Sequence, residues 1–276
     1  MRLILCVKRD LHGAIFLNRL LPHLEAHDAW ILLSDKTRPA EAAIPALAEL
    51  AYLERTLPME RLLPLAATGV GSEWLGIEAL ARSHDIPWEV VADINDEAMV
   101  ARLRAFAPDL IVSARFSHIF KTPAIAAARC GVLNIHPGRL PEYAGLFAPM
   151  RSIAEGQDAL TCCIHWIDSG IDSGPLLTER QLPYRAEGDL LAHIAELYPL
   201  AIEPLLEAIG RLDRGLPVPA TPQDRQRRRY RSLPDAAEVA AFLAAGHRFW
   251  HPASYDALLA KFLPAGAGTI ARPTRP

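Results

Sequence analysis

The sequence predicts an α/β fold, a mostly parallel sheet with helices on both faces, followed by a small C-terminal extension. Three observations lead there. Short apolar runs such as Leu3-Ile4-Leu5-Cys6-Val7 are continuous rather than alternating, as in strands buried on both faces. These runs alternate with segments of helical periodicity. The composition then changes after Gly215, where Pro217, Pro219 and Pro222 precede an arginine run.

The elements follow in order. The first apolar run reads as a strand, and Ala14-Ile15-Phe16-Leu17 with Leu20-Leu21 reads as the helix after it. Trp30-Ile31-Leu32-Leu33 gives a second strand, ending at Ser34-Asp35. Residues 39–84 are rich in Ala, Leu and Glu, and Pro45, Pro58 and Pro64 are expected to break them into short helices with no recognisable chemistry. Further strands are expected at Trp88-Glu89-Val90-Val91, Leu110-Ile111-Val112, Val132-Leu133-Asn134-Ile135-His136 and Cys162-Cys163-Ile164-His165-Trp166-Ile167. Residues 189–214 read as one long amphipathic helix, capped by Asp189 and stopped by Gly215. The division expected is 1–215 for the main domain and 216–276 for an extension with a helix near 236–245, too small to hold a large core by itself. The stretch after Pro264 is expected to be loosely ordered.

With 276 residues, 51% of them hydrophobic, the chain can bury a sizeable core. A net charge of -3 excludes a global basic field for polyanions or anionic membranes, so any such contact is local. Cys6, Cys130, Cys162 and Cys163 have no paired spacing and read as reduced packing residues, so no metal site is expected. Nothing resembles a leader peptide or membrane span, which places the chain in the cytoplasm with no membrane partner. The sequence leaves a homo-oligomer open.

Chemistry concentrates in Asn134-Ile135-His136-Pro137-Gly138-Arg139-Leu140-Pro141-Glu142-Tyr143-Ala144-Gly145. Asn134 and His136 are two apart on a strand, so they share a face at its carboxyl end, where parallel sheets bind ligands. Pro137 stops the strand there. A second string, Asp168-Ser169-Gly170-Ile171-Asp172-Ser173-Gly174-Pro175, sets two carboxylates among small residues directly after another strand.

Together these resemble the folate-dependent formyltransferases, whose members act on glycinamide ribonucleotide, methionyl-tRNA or sugar amines. That family reads Asn-x-His-Pro-x-x-Leu-Pro-x-Tyr-x-Gly and then His-x-x-x-x-x-x-Asp-x-Gly, the second string matching His165, Asp172 and Gly174. The resemblance extends over roughly residues 2–215. It implies a Rossmann-like sheet, 10-formyltetrahydrofolate as formyl donor, and Asn134, His136 and Asp172 as catalytic residues. Asn134 and a protonated His136 would donate to the developing oxyanion, each donor worth about 3 to 4 kcal/mol. Asp172 would hold His136 protonated and relay the amine proton. His165 would support the Asp172 loop. Folate contacts are expected from His118, Ile119 and Phe120 after the fourth strand, with Asp168 and Gly170 closing the other side.

The acceptor is read from departures. Lys8-Arg9-Asp10-Leu11-His12-Gly13 stands where the purine-pathway branch has a Gly-Ser-rich phosphate loop, which argues against glycinamide ribonucleotide. The extension is shorter than the tRNA branch's β-barrel and is broken by prolines, which disfavours initiator tRNA. A small-molecule amine remains, a nucleotide-linked amino sugar leading, with Arg9, His12 and Arg229 as candidate acceptor contacts. Arg225-Gln226-Arg227-Arg228-Arg229-Tyr230-Arg231 reads either as a solvated surface or as a phosphate clamp. Methionyl-tRNA formyltransferase-like activity is the alternative, and a non-catalytic RNA-binding module on the arginine run is the rival from another class. A nucleotide-linked oxidoreductase would need Gly-x-Gly-x-x-Gly after the first strand, and none is present.

Overall fold

The computed structural model of the chain describes residues 1–64 and 72–264. A seven-stranded sheet runs through it, built from β1 (Arg2–Lys8), β2 (Asp28–Ser34), β3 (Trp88–Val90), β4 (Leu110–Ala114), β5 (Val132–His136), β7 (Ala159–Trp166) and β8 (Leu176–Pro183), in the order β3-β2-β1-β4-β5-β7-β8. The first five strands are parallel, and β7 and β8 run antiparallel to their sequence-earlier neighbours. A separate two-stranded ribbon joins β6 (Ala144–Gly145) to β9 (Tyr230–Arg231).

The period of two decides which side each residue serves. Leu3, Leu5 and Val7 join a large core with the helices Leu11–Leu20 (α1) and Leu190–Leu197, whereas Ile4 and Cys6 join a smaller core with Val100 and Leu103 of Glu97–Phe106. All four cysteines are free. Among the described residues, no helix is long and apolar enough to cross a membrane.

Several elements depart from the sequence reading. The long helix expected over 189–214 is two helices, Leu190–Leu197 and Ile202–Asp213, joined by a tight turn at Tyr198–Ala201. Pro199 causes the break, since it has no N–H to donate and crowds the preceding turn. Asp189 does cap the first helix, accepting from Ala192 N at 2.9 Å. Pro58, expected to end a helix, lies inside an eleven-residue π-helix, Tyr52–Leu62. β8 has a mixed buried and exposed pattern. Its half-polar edge position gives no apolar run to recognise.

The extension builds no core of its own. Phe242, Phe249, Tyr255 and Phe262, carried by and around Ala236–Ala244 and Pro252–Ala260, join the main core. The Tyr255 hydroxyl donates to the Leu53 carbonyl at 2.8 Å, tying the extension to the π-helix. The expectation of loose order after Pro264 concerns residues outside those described.

Candidate active site

The strand order turns at β1 and β4, and a cavity of about 680 Å³ opens beyond their carboxyl ends. That is where open parallel sheets place ligands, and the volume falls in the usual range of about 300 to 1,000 Å³ for small-molecule sites. Lys8 enters from the end of β1, Ser113 and Arg115 from β4, and Asn134 and His136 from β5.

Sheet register brings the polar residues together. Asn134 on β5 pairs directly with His165 on β7, and Asn134 Nδ2 lies 3.1 Å from His165 Nε2. The other ring nitrogen of His165, Nδ1, is 2.8 Å from the Trp166 carbonyl and donates to it. In the neutral ring Nε2 is then an acceptor, and it takes one Asn134 amide hydrogen and fixes which way the amide faces. The second amide hydrogen stays uncommitted.

His136 is oriented by the same logic. Its Nε2 donates to the Tyr143 carbonyl at 2.7 Å, so Nδ1 is the nitrogen left facing Asp172 Oδ2, at 3.6 Å. Gly138 makes this bond possible, because a Cβ there would lie 2.9 Å from both His136 Nε2 and the Tyr143 oxygen. Asp172 Oδ1 is also 3.6 Å from His165 Nε2, so one carboxylate faces two imidazoles. Both contacts are ion-pair distances rather than closed hydrogen bonds. Such contacts tighten when substrate completes a site.

Asp172 does make one short hydrogen bond, from Gly145 N at 2.8 Å. Burial opposes its ionisation, but the facing His136 and His165 and the Gly145 N–H outweigh it and hold the carboxyl well below the usual carboxylate range. Asp172 itself has φ of 50°, the left-handed region that costs a non-glycine residue about 1 to 2 kcal/mol. Chemically, the arrangement offers an amide hydrogen and an imidazole toward a carbonyl oxygen, with an ionised carboxylate beside them to take a proton.

Other expected contacts divide. His118, Ile119, Phe120 and Gly170 line the cavity. Ile119 is 59% exposed, while Phe120 also packs in the smaller core. His118 Nε2 is buried without a hydrogen-bond partner, which suits the polar edge of a heterocycle. Burial pushes the His118 imidazole below its ordinary value, against the opposing charge of Asp93. Asp168 is not among the lining residues; it accepts from Gly170 N at 2.9 Å and Ser173 Oγ at 2.7 Å and holds its own loop in shape.

The expected acceptor contacts lie elsewhere. Arg9 pairs with Glu78 at 2.6 Å, and neither it, His12 nor Arg229 lines the cavity. His12 is 1% exposed, with Nε2 bonded to the Leu191 carbonyl at 2.9 Å. Arg229 points toward Glu155 at 3.9 Å, Arg231 pairs with Glu155 at 2.6 Å and Arg227 pairs with Glu142. Local carboxylates thus take the Arg227 and Arg231 guanidinium groups and lie near that of Arg229.

Sequence reasoning missed a buried charge cluster at the cavity wall. Asp10, fully buried, caps α1 through Gly13 N at 2.8 Å and accepts from Arg115 Nη2 at 2.7 Å and Nε at 3.0 Å. Arg115 also meets Glu54 at 3.2 Å and lies over the Tyr198 ring at 5.7 Å. Glu54 comes from the 39–84 insertion, which thus supplies cavity chemistry after all. Burial opposes the charge on Asp10, but Arg115 prevails and lowers its carboxyl. The chain's own carboxylate thus occupies the anion seat at the α1 N-terminus.

A family model described as formyl transferase matches residues 80–195, the segment that carries Asn134, His136, His165 and Asp172. The segment 80–195 is thus similar to the formyltransferase family. A methionyl-tRNA formyltransferase from Synechococcus sp. (strain JA-2-3B'a(2-13)) is 31% identical over 157 residues, 56% of this chain and 48% of the relative. The chain spans about half the length of the curated relatives it matches. Among solved structures, a sugar N-formyltransferase from Shewanella sp. FDAARGOS_354 aligns with TM-score 0.55 at 15% identity, covering 89% of this chain and 87% of the other. An N-formyltransferase from Helicobacter canadensis, in complex with folinic acid and dTDP-3-aminofucose, aligns with TM-score 0.51 at 16% identity, covering 83% and 70%. At these identities the likeness establishes the fold.

Proposed function

We propose that this chain is a formyltransferase that moves a formyl group from 10-formyltetrahydrofolate to a primary amine on a small molecule, a nucleotide-linked amino sugar being the leading acceptor. The observation that carries the reading is the meeting of Asn134, His136 and Asp172 at the end of β5, with His136 and Asp172 3.6 Å apart. Bound there, the folate supplies an N-formyl carbonyl as electrophile. His118, Ile119 and Gly170 would hold its ring system, and the unpartnered His118 Nε2 supports that fit. Asn134, through its uncommitted amide hydrogen, and His136, through Nδ1–H of the protonated ring, would donate to the carbonyl oxygen as negative charge grows on it. Asp172 Oδ2 would accept the proton released by the attacking amine, directly or through His136.

The acceptor class rests on what the site lacks and keeps. Asp10 fills the anion seat at the α1 N-terminus, which supports the reading against glycinamide ribonucleotide. With Arg9, His12 and Arg229 turned elsewhere and Arg115 held by Asp10 and Glu54, Lys8, Lys36 and Arg38 are the lining cations that could meet a carrier's phosphates. The Helicobacter canadensis enzyme holds a nucleotide-linked amino sugar on the same fold, which supports this class of acceptor. The second reading, a tRNA-borne amine, is favoured by the identity with methionyl-tRNA formyltransferases. Against both tRNA and a bare RNA-binding role stands the pairing of Arg227, Arg229 and Arg231 with Glu142 and Glu155.

The test offers the purified protein 10-formyltetrahydrofolate and a panel of amines, and follows tetrahydrofolate release. Turnover with nucleotide-linked amino sugars or other small amines is expected. Turnover confined to aminoacylated initiator tRNA would overturn the acceptor class. Salt-sensitive RNA binding without any stabilisation by folinic acid would overturn the enzyme reading.

A further inference from the structure

Asp172 sits in a backbone conformation that persists only where its surroundings over-determine it. The loop's internal restraint is modest. Asp168 holds Gly170 N and Ser173 Oγ, but the Ile171 and Gly174 carbonyls on either side of Asp172 and Ser173 take donors from outside. Those donors come from the C-terminal extension. Gln223 Nε2 donates to the Gly174 carbonyl at 2.7 Å, and Arg228 Nη2 donates to the Ile171 carbonyl at 2.6 Å.

The same segment is fastened on both sides of these donors. Thr221 and Leu176 exchange two backbone hydrogen bonds of 2.8 Å each. Arg229 N donates to the Pro141 carbonyl at 3.2 Å, and Leu146 N donates to the Arg231 carbonyl at 2.9 Å. Through the β6–β9 pairing, Arg231 lies against Gly145, whose N–H holds Asp172. Gly145 has φ of 99°, and a Cβ there would sit 2.0 Å from the Arg231 oxygen, so only glycine permits this approach. Arg228 is itself steadied, its guanidinium 5.5 Å from the Tyr230 ring centre.

We infer that residues 221–231 of the extension act as a splint for the Asp172 loop, with Gln223 and Arg228 as positioning residues that clamp the carbonyls on either side of it. The arginine run is then a fastening to a loop rather than a ligand clamp. The inference rests on the proposed role of Asp172 only where turnover is concerned; the clamping itself is independent of it.

The experiment compares Gln223→Ala, Arg228→Ala and the double variant with wild type, using Arg228→Lys for rescue and Arg225→Ala as a control within the run. Amide hydrogen exchange is followed in residues 168–175 and in β1 and β4. Loop exchange is expected to quicken by roughly two- to tenfold for each lost hydrogen bond, with β1 and β4 unchanged and Arg228→Lys partly restored. Unchanged loop exchange in the double variant, or an equal rise throughout the core, would overturn the splint. Turnover is measured alongside with an amine the enzyme accepts, and its kcat is expected to fall with loop protection. A loosened loop with unaltered kcat would uphold the splint and instead overturn the assignment of Asp172.

Discussion

Replacing Gly138 by alanine adds one methyl group where three things already meet. The new Cβ would lie 2.6 Å from Ala148 Cβ, 2.9 Å from His136 Nε2 and 2.9 Å from the Tyr143 carbonyl oxygen. No left-handed backbone is involved at this glycine, so the cost is steric. Carbon atoms rest about 3.5 to 4.0 Å apart, so the neighbours must give by about 1 Å. Ala148 is buried at the start of its helix, which leaves the His136–Tyr143 bond of 2.7 Å as the softer partner. A 1 Å displacement of a catalytic group costs on the order of 100-fold in rate, or about 2.7 kcal/mol at 1.36 kcal/mol per factor of ten. Overpacking adds about 1 to 3 kcal/mol of lost stability. The assay pairs kcat for formyl transfer with urea unfolding of the same preparation. Wild-type turnover in a folded Gly138→Ala protein would refute the idea that the His136–Tyr143 bond sets the ring.

Three further outcomes follow from the contacts. Asp10→Asn removes the charge that Arg115 faces in the cluster with Glu54 and His12, and urea unfolding should show a loss of about 3 to 5 kcal/mol, the cost of a broken buried pair; a change below 1 kcal/mol would mean that Glu54 alone suffices. Tyr255→Phe deletes the hydrogen bond to the Leu53 carbonyl and should lower stability by about 1 kcal/mol with no effect on kcat, which equilibrium unfolding and turnover together check. Because Asp172 is held below its unfolded value, its contribution to stability is present above about pH 4 and is lost as pH falls through the lowered folded value. The stability gap between wild type and Asp172→Asn should therefore narrow only in strong acid, and a gap that closes between pH 7 and pH 5 would contradict the depressed carboxyl.

How much of this was legible beforehand depends on how local each signal is. β1, β2, β4 and β5 announce themselves because strands covered on both faces must be apolar throughout. The strand's period of two puts Asn134 and His136 on one face, while their catalytic roles, like that of Asp172, come from the resemblance to a family pattern. β8 was invisible, since an edge strand with one wet face has neither a clean run nor a clean alternation. The helix break at Tyr198–Ala201 was written in Pro199, but the apolar periodicity continues across it and masks the stop. The charged residues were the hardest to place. Arg115 finds Asp10 across 105 positions and Glu54 across 61, separations over which sequence spacing carries no information about contact. For the same reason sequence spacing does not show that Arg9 faces Glu78 or that Arg229 lies near Glu155: a positive charge specifies the sign of its partner and not which partner it is.

The most direct test of the site is single-turnover formyl transfer by Asp172→Asn, with donor binding measured separately by titration with folinic acid. Asparagine keeps the shape of the side chain that Gly145 N holds at 2.8 Å but cannot take a proton from the attacking amine. Binding of folinic acid is expected to stay close to wild type while transfer slows by about 100- to 10,000-fold, the range for loss of an acid–base group. Transfer at the wild-type rate by this variant would contradict the assignment of Asp172 as the group that accepts the amine's proton.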